Sequence, residues 1–412
     1  MTDADMPYLK TLPNFRKYID GGAEIKHIKS IYPTITYPCH TTIATGVYPS
    51  KHGVLNNMPF YLPGAKDVPW LWYHDAVKVP DIFTAAKNAG YTTAAVFWPC
   101  TGNHPDIDWL IDEIWSSATV SGREAFKASG TSDELMREVV EKYDSFPERH
   151  HPEADTFVLE CTAEIIRRYR PELLMLHPAQ IDSYRHSYGV YSAQVSQGIR
   201  EADEHIGIIG RALEESGLIK STNFVLTSDH GLMDTDRIYS PNAVLKKAGL
   251  ITVENGAIKD WTAVCISAGM NALVYVKNRD AATLARVRAA LRETIGCGVG
   301  EIYDAEQAAA LGLSGDFSFA LESDGITSFD DDWNEGYKSF APKDFRLSRA
   351  THGYRPEKGP MPVFYAKGPS FSAVSLNYAS LVDEAPTLAA AMGFEMPVTD
   401  GKIIKEILSE PK

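Results

Sequence analysis

Short apolar runs alternate along this chain with longer amphipathic stretches, and that alternation limits the fold more than any other feature. YTTAAVFWP (91–99), PELLMLHPAQID (171–182), TNFVLTSD (222–229) and MPVFYAKGP (361–369) are rich in β-branched and aromatic residues and read as buried strands. Between them PDIFTAAKNAG (80–90), ADTFVLECTAEIIRRY (154–169), QVSQGIREADEHIGIIGRALEESG (194–217) and LVDEAPTLAAAMG (381–393) read as helices, several of them stopping at glycine. Strands that alternate with helices predict an α/β fold, with a mostly parallel central sheet and helices on both faces. Ligands of such sheets bind beyond the carboxyl ends of the strands.

Two stretches break the rhythm. Residues 115–152 are polar, and residues 296–349 mix glycine, acidic and aromatic residues. Both are expected as insertions or cap elements within a single catalytic domain spanning 1–412. With 412 residues, 44% of them hydrophobic, the chain has material for a large core. Its net charge of −14 argues against a broad surface for long nucleic acids, though not against a small anion held by metal ions. Five scattered cysteines without a CxxC pair make neither a disulfide framework nor a zinc ribbon. No apolar run reaches transmembrane length and no signal peptide opens the chain, so the default expectation is a soluble cytoplasmic protein.

Four elements at strand ends carry candidate chemistry. In DSYRH, Asp182 and His186 are four residues apart and share a face if the segment is helical. A carboxylate and an imidazole so placed suit a zinc-class ion, or form a surface Asp–His pair. SDHG sets Asp229 and His230 side by side after an apolar strand, with Gly231 allowing a tight turn. The alternative is a helix-capping aspartate followed by an incidental histidine. ATHGYRP puts His352 in a glycine-containing loop. YPTITYPCHTTIATG (32–46) holds five threonines and two prolines. Thr36 precedes what reads as the start of a helix, and its hydroxyl needs a base or a metal to act as a nucleophile. The other histidines, including His74, His104 and His177, read as surface or structural groups, and His40 and His52 as structural.

The order of these elements resembles the alkaline phosphatase superfamily, specifically its nucleotide pyrophosphatase/phosphodiesterase branch. The similarity rests on PTITYPCHTTIATGVYPSKHGVLNN (33–57), DSYRHSYG (182–189), SDHG (228–231) and THGY (351–354), with weaker matches at VFWPCTG (96–102) and DEAPTLAAAMG (383–393). It implies an alkaline-phosphatase-like fold and a site for two divalent metal ions, usually zinc. Thr36 falls on the nucleophile that becomes phospho-threonine. Asp182, His186 and His352 fall on the ligands of one ion; Asp229, His230 and Thr36 fall on those of the other. Asn57 falls on a donor to a phosphoryl oxygen, Tyr37 on an aromatic that stacks on a nucleobase, and Trp98 on a further wall of that pocket. The implied substrate is a small phosphodiester or nucleotide. Sulfatases require a C/S-x-P-x-R pattern that the HTT after Cys39 does not supply. Phosphonoacetate hydrolase and the phosphomonoesterases are the related alternatives, and an impaired pseudo-enzyme lacking a ligand is another.

One departure stands at the start. The resemblance implies an apolar opening strand ending in a metal-binding aspartate, yet this chain opens MTDADMPYLKTLPNF. That aspartate is expected just before Met1, where an upstream extension that could also hold a signal peptide for export would supply it. Otherwise Asp3 or Asp5 takes its place.

Overall fold

The expected strands form as the short cores of their apolar runs: Thr93–Val96, Leu173–Leu176, Phe224–Thr227 and Phe364–Lys367. These come from a computed structural model that describes residues 1–117, 119–143, 150–338 and 348–409. The central layer consists of two hydrogen-bonded pieces. One has the order Ser375–Ser380, Ala23–Lys29, Phe364–Lys367, Phe224–Thr227; the other has Trp109–Ile111, Thr93–Val96, Leu173–Leu176. Neighbours run parallel, as at Ile25 opposite Leu376 and Ala95 opposite Met175, except around Phe364–Lys367, which is antiparallel to both its partners.

Side chains alternate across a strand, so each strand feeds both faces. Leu173 and Met175 enter one apolar cluster with Ile25, Ile28, Ile43, Phe83 and Ala95, which therefore underlies both pieces. Leu174 and Leu176 face the opposite cluster, where Val96, Ile111, Phe157, Ile165 and Ile209 meet. Helices Thr36–Thr45 and Ile82–Asn88 cover the first face, and Glu153–Tyr169 and Ala193–Glu215 cover the second. Each fully buried Ile, Leu or Phe in these layers contributes about 1.5–3 kcal/mol by leaving water. The two-faced α/β arrangement is the expected one.

The expected insertions differ in character from that reading. The region 296–349 does not stand by itself. Its strands Val299–Asp304 and Phe319–Ser323 complete an antiparallel sheet with Ala263–Ala268 and Asn271–Val276. Helices Pro241–Lys247 and Ala281–Arg292 pack on that sheet through Leu245, Val287 and Leu291. The decoration thus begins near 241, because long-range pairing joins segments that composition kept apart. In 115–152, helices Gly122–Ala128 and Asp133–Glu138 bury Phe126, Leu135 and Met136 in the same cluster as Val96 and Phe157. Parts of both expected insertions (118, 144–149 and 339–347) lie outside the described residues.

Candidate active site

The sites converge where the strands end. From Ser30 to Val47 every residue is buried except Thr36, which keeps partial exposure at the first position of the Thr36–Thr45 helix. The helix starts earlier than the sequence suggests, taking in Tyr37, Pro38 and Cys39. Proline is tolerated there because the first turn needs no N–H from it. Thr41 and Thr45 turn their hydroxyls onto helix carbonyls four residues back, at 2.8 and 2.7 Å. Of the threonines in this helix, Thr36 is the one that opens outward.

Asp229 and His230 lie in the loop after Phe224–Thr227. The Asp229 Oδ2 to His230 Nε2 separation is 3.0 Å, and Thr36 Oγ1 is 3.3 Å from the same nitrogen. Gly231 is needed for closeness rather than for a turn: a Cβ there would meet the Pro360 carbonyl oxygen at 2.6 Å. Asp182 and His186 sit one turn apart on the Gln180–Tyr188 helix, Oδ2 to Nε2 3.3 Å. His352 joins them, and one ligand atom from each of the three lies within 4.8 Å of the others. The His352 ring also lies 4.2 Å from the His230 ring, so the two halves are contiguous. Backbone bonds fix its loop: Met270 N–H donates to the His352 carbonyl at 2.7 Å, and Gly353 N–H donates to the Thr34 carbonyl at 2.9 Å. Gly353 has φ +100°, and a Cβ would strike the Ala268 carbonyl oxygen at 2.3 Å.

The histidine tautomers test whether this arrangement suits cations. His186 Nδ1 faces the Ala350 carbonyl at 2.7 Å, and His230 Nδ1 faces the Gly231 carbonyl at 3.2 Å. A carbonyl only accepts, so each Nδ1 carries a hydrogen and each Nε2 is the nitrogen turned toward a carboxylate. A carboxylate at 3.0–3.3 Å from that nitrogen calls for positive charge between them, which a proton or a metal ion supplies. Backbone carbonyls orienting imidazole ligands in this way are typical of metal sites. The electrostatics agree. Burial alone would raise the Asp182 and Asp229 carboxyls, yet His186 and His230 respectively outweigh it and hold both far below the usual carboxylate range. Burial opposes a charged His230, but the Asp229 carboxylate pulls its pKa up. Nitrogen and carboxylate oxygen donors in this number suit zinc-class divalent ions.

A second His–Asp–His group among the described residues, His74, Asp81 and His104, fails the same test. Asp106 N–H donates to His104 Nδ1 at 3.0 Å, so His104 Nε2 carries the hydrogen and donates to Asp81 at 3.0 Å. Asp81 in turn caps the Ile82–Asn88 helix through Thr84 N–H at 3.0 Å. This is a helix-capping network, in keeping with the structural reading of His74 and His104.

Three sequence expectations change. Tyr37 is fully buried against Val54 and Cys100, with Trp70 edge-on at 5.2 Å, so its ring is not available to stack on a base. Trp98 is likewise buried, 4.8 Å edge-on to His40. Both sit where the layers close, which burial decides and spacing does not. Asp3 and Asp5 do not join the site. Asp5 is held by Arg185 Nη2 at 2.6 and 2.8 Å, and Asp3 lies 3.9 Å from His27. Asn57 keeps a position beside Thr36: its Oδ1 accepts Tyr37 N–H at 2.9 Å, leaving its amide hydrogens to donate. The residue that sequence reading missed is His40, whose Nδ1 is 2.9 Å from the Thr36 carbonyl and 3.4 Å from Asp229 Oδ2. Its signal was available, since it follows Thr36 by four residues on one helix face.

Comparison with known proteins bears on the same elements. The murine ectonucleotide pyrophosphatase/phosphodiesterase family member 1 is 27% identical over 229 residues, which cover 54% of this chain and 22% of that protein. Venom phosphodiesterase 2 of Crotalus adamanteus is 25% identical over 223 residues, covering 54% of this chain and 24% of its own length. The matched region is thus about a quarter or less of each relative. In fold, the structure of murine ectonucleotide pyrophosphatase/phosphodiesterase 5 superposes with a TM-score of 0.68 at 18% identity, covering 98% of this chain and 96% of the other. No helix among the described residues is long and apolar enough to cross a membrane. The family model for type I phosphodiesterase / nucleotide pyrophosphatase matches residues 3–345, which hold Thr36, Asp182 and Asp229, and the chain belongs to that family.

Proposed function

We propose that this protein is a metal-dependent hydrolase of small phosphodiesters or nucleotide pyrophosphates, with Thr36 as nucleophile. The observation that carries the reading is the Thr36 hydroxyl at a helix N-terminus, 3.3 Å from a histidine nitrogen that also meets a carboxylate at 3.0 Å. In this reading Asp229, His230 and the Thr36 oxygen hold one zinc-class ion, and Asp182, His186 and His352 hold the other. When bound, such a pair lowers the proton affinity of the attacking hydroxyl and neutralises charge on the attacking and leaving oxygens.

The side chains do the rest. Thr36 Oγ1 attacks phosphorus in line as the bond to the leaving oxygen breaks, giving phospho-threonine, which water then hydrolyses to restore the hydroxyl. Asn57 donates from its amide nitrogen to a non-bridging oxygen, where charge grows in the transition state. The amino end of the Thr36–Thr45 helix adds a positive field at the same place. The structure of an inactive Thr→Ala variant of murine ectonucleotide pyrophosphatase/phosphodiesterase 5 in complex with AMP supports both the threonine role and the nucleotide class. The ecto- and venom names of the relatives support an exported protein over the cytoplasmic default.

Metal content and turnover test this. The zinc-loaded protein should carry about two ions per chain and release nitrophenol from bis(p-nitrophenyl) phosphate faster than from the monoester. Thr36→Ala should lower kcat by about a thousand-fold or more. Turnover confined to monoesters or to phosphonoacetate would refute the diesterase assignment.

A further inference from the structure

We infer that His40 is a positioning residue, whose Nδ1–H edge holds the nucleophile's own backbone beside the Asp229 carboxylate. The inference rests on the two-ion reading above and concerns a residue to which that reading gives no part.

His40 lies one turn after Thr36 and is buried. Its Nδ1 has two oxygen neighbours, the Thr36 carbonyl at 2.9 Å and Asp229 Oδ2 at 3.4 Å. The carbonyl only accepts, so Nδ1 carries the hydrogen and donates it to Thr36, with the Asp229 carboxylate oxygen against the same edge of the ring. The same Oδ2 faces His230 Nε2 at 3.0 Å. The Nδ1–H edge of one ring therefore lies against both the residue that bears the attacking hydroxyl and the carboxylate that flanks it. The ring has little freedom to do otherwise. Trp98 meets it edge-on at 4.8 Å, and the His177 ring lies 4.1 Å away. His177 Nδ1 is in turn 3.9 Å from Glu113 Oε2. Asp229 arrives on a loop after a strand, while Thr36 arrives on a helix. The two share no strand pairing, and side-chain contacts keep them in register: Ser30, whose hydroxyl donates to the Asp229 carbonyl at 2.7 Å, and His40 at the carboxylate itself.

Two substitutions separate the N–H from the ring. His40→Phe keeps the aromatic packing against Trp98 and loses the donor. His40→Asn loses the ring and keeps an amide N–H close to where Nδ1 sits. Zinc affinity of the full chain, measured by competition with a chromogenic chelator, is the readout. In H40F one of the two ions should bind about 10–100-fold more weakly, the usual effect of removing a partner of a metal ligand, while the other keeps its affinity. In H40N both affinities should stay within about threefold of wild type. Wild-type affinity for both ions in H40F overturns the inference, as does a loss in H40N as large as in H40F. Should H40F not fold, H40N decides alone, since weakened binding there refutes the positioning role. A wild-type protein that takes up no ion overturns the two-ion reading itself, and this inference with it.

Discussion

Replacing Asp5 by asparagine should destabilise the protein by about 3 kcal/mol, the lower end of the cost of breaking a buried ion pair by removing one partner. Arg185 and Asp5 have side chains only 2% and 5% exposed, and one guanidinium nitrogen contacts both carboxylate oxygens, at 2.6 and 2.8 Å. Asparagine keeps the shape and one acceptor oxygen, but it leaves the Arg185 charge uncompensated in a site water hardly reaches. Alanine at the same place should cost more, up to about 5 kcal/mol. The assay is urea unfolding followed by tryptophan fluorescence at pH 7. A D5L/R185M double variant, which removes both charges, should recover most of the loss. The pH dependence has a definite sign. Burial works to raise the Asp5 carboxyl, but Arg185 heads the favourable contacts that bring it below its ordinary value. The pair's contribution is therefore complete above the unfolded value of about 3.9 and is lost as pH falls through the lower folded value. The gap between wild type and D5N should hold from pH 8 to about pH 4 and close below it. Because Asp5 is committed to Arg185, D5N should also keep both metal ions. A cost under about 1 kcal/mol, strict additivity in the double variant, or loss of one ion would each refute the argument.

Asn57→Ala should lower kcat on a diester about a hundred-fold with little change in KM, since its amide is read as a donor to charge that develops in the transition state; steady-state kinetics checks this. His52 is buried with Nδ1 accepting Val54 N–H at 3.1 Å and Nε2 3.0 Å from the Thr42 hydroxyl, and burial pushes its pKa down to about 3. Its folded value lies below its unfolded one, so its stabilisation is complete above about pH 6.5 and falls by about 1.4 kcal/mol per pH unit below that. His52→Gln should flatten the pH dependence of urea unfolding between pH 6.5 and 4 relative to wild type.

Local spacing was the part of this protein that could be read directly. Asp182 and His186 share a helix face because the helical repeat puts residues four apart on one side, and no distant contact can change that. Alternating apolar runs likewise predicted a two-faced α/β layer, since strands buried on both sides need apolar residues throughout. What spacing could not supply was burial and long-range partnership. Tyr37 had the right place beside Thr36 to meet a base, and packing against Val54, Cys100 and Trp70 took it out of reach. Asp5 looked like a candidate ligand until Arg185, 180 positions later, claimed it.

The sequence by itself determined which residue types stand at the strand ends and one turn apart on helices, because those relations depend only on backbone periodicity. The tertiary structure decided which of five threonines keeps exposure, which histidine nitrogens turn toward carboxylates, and that His40 lies against both Thr36 and Asp229. Those outcomes depend on carbonyls and carboxylates brought together from segments as far apart as Thr36 and His352, and only the packed layers fix where such groups meet.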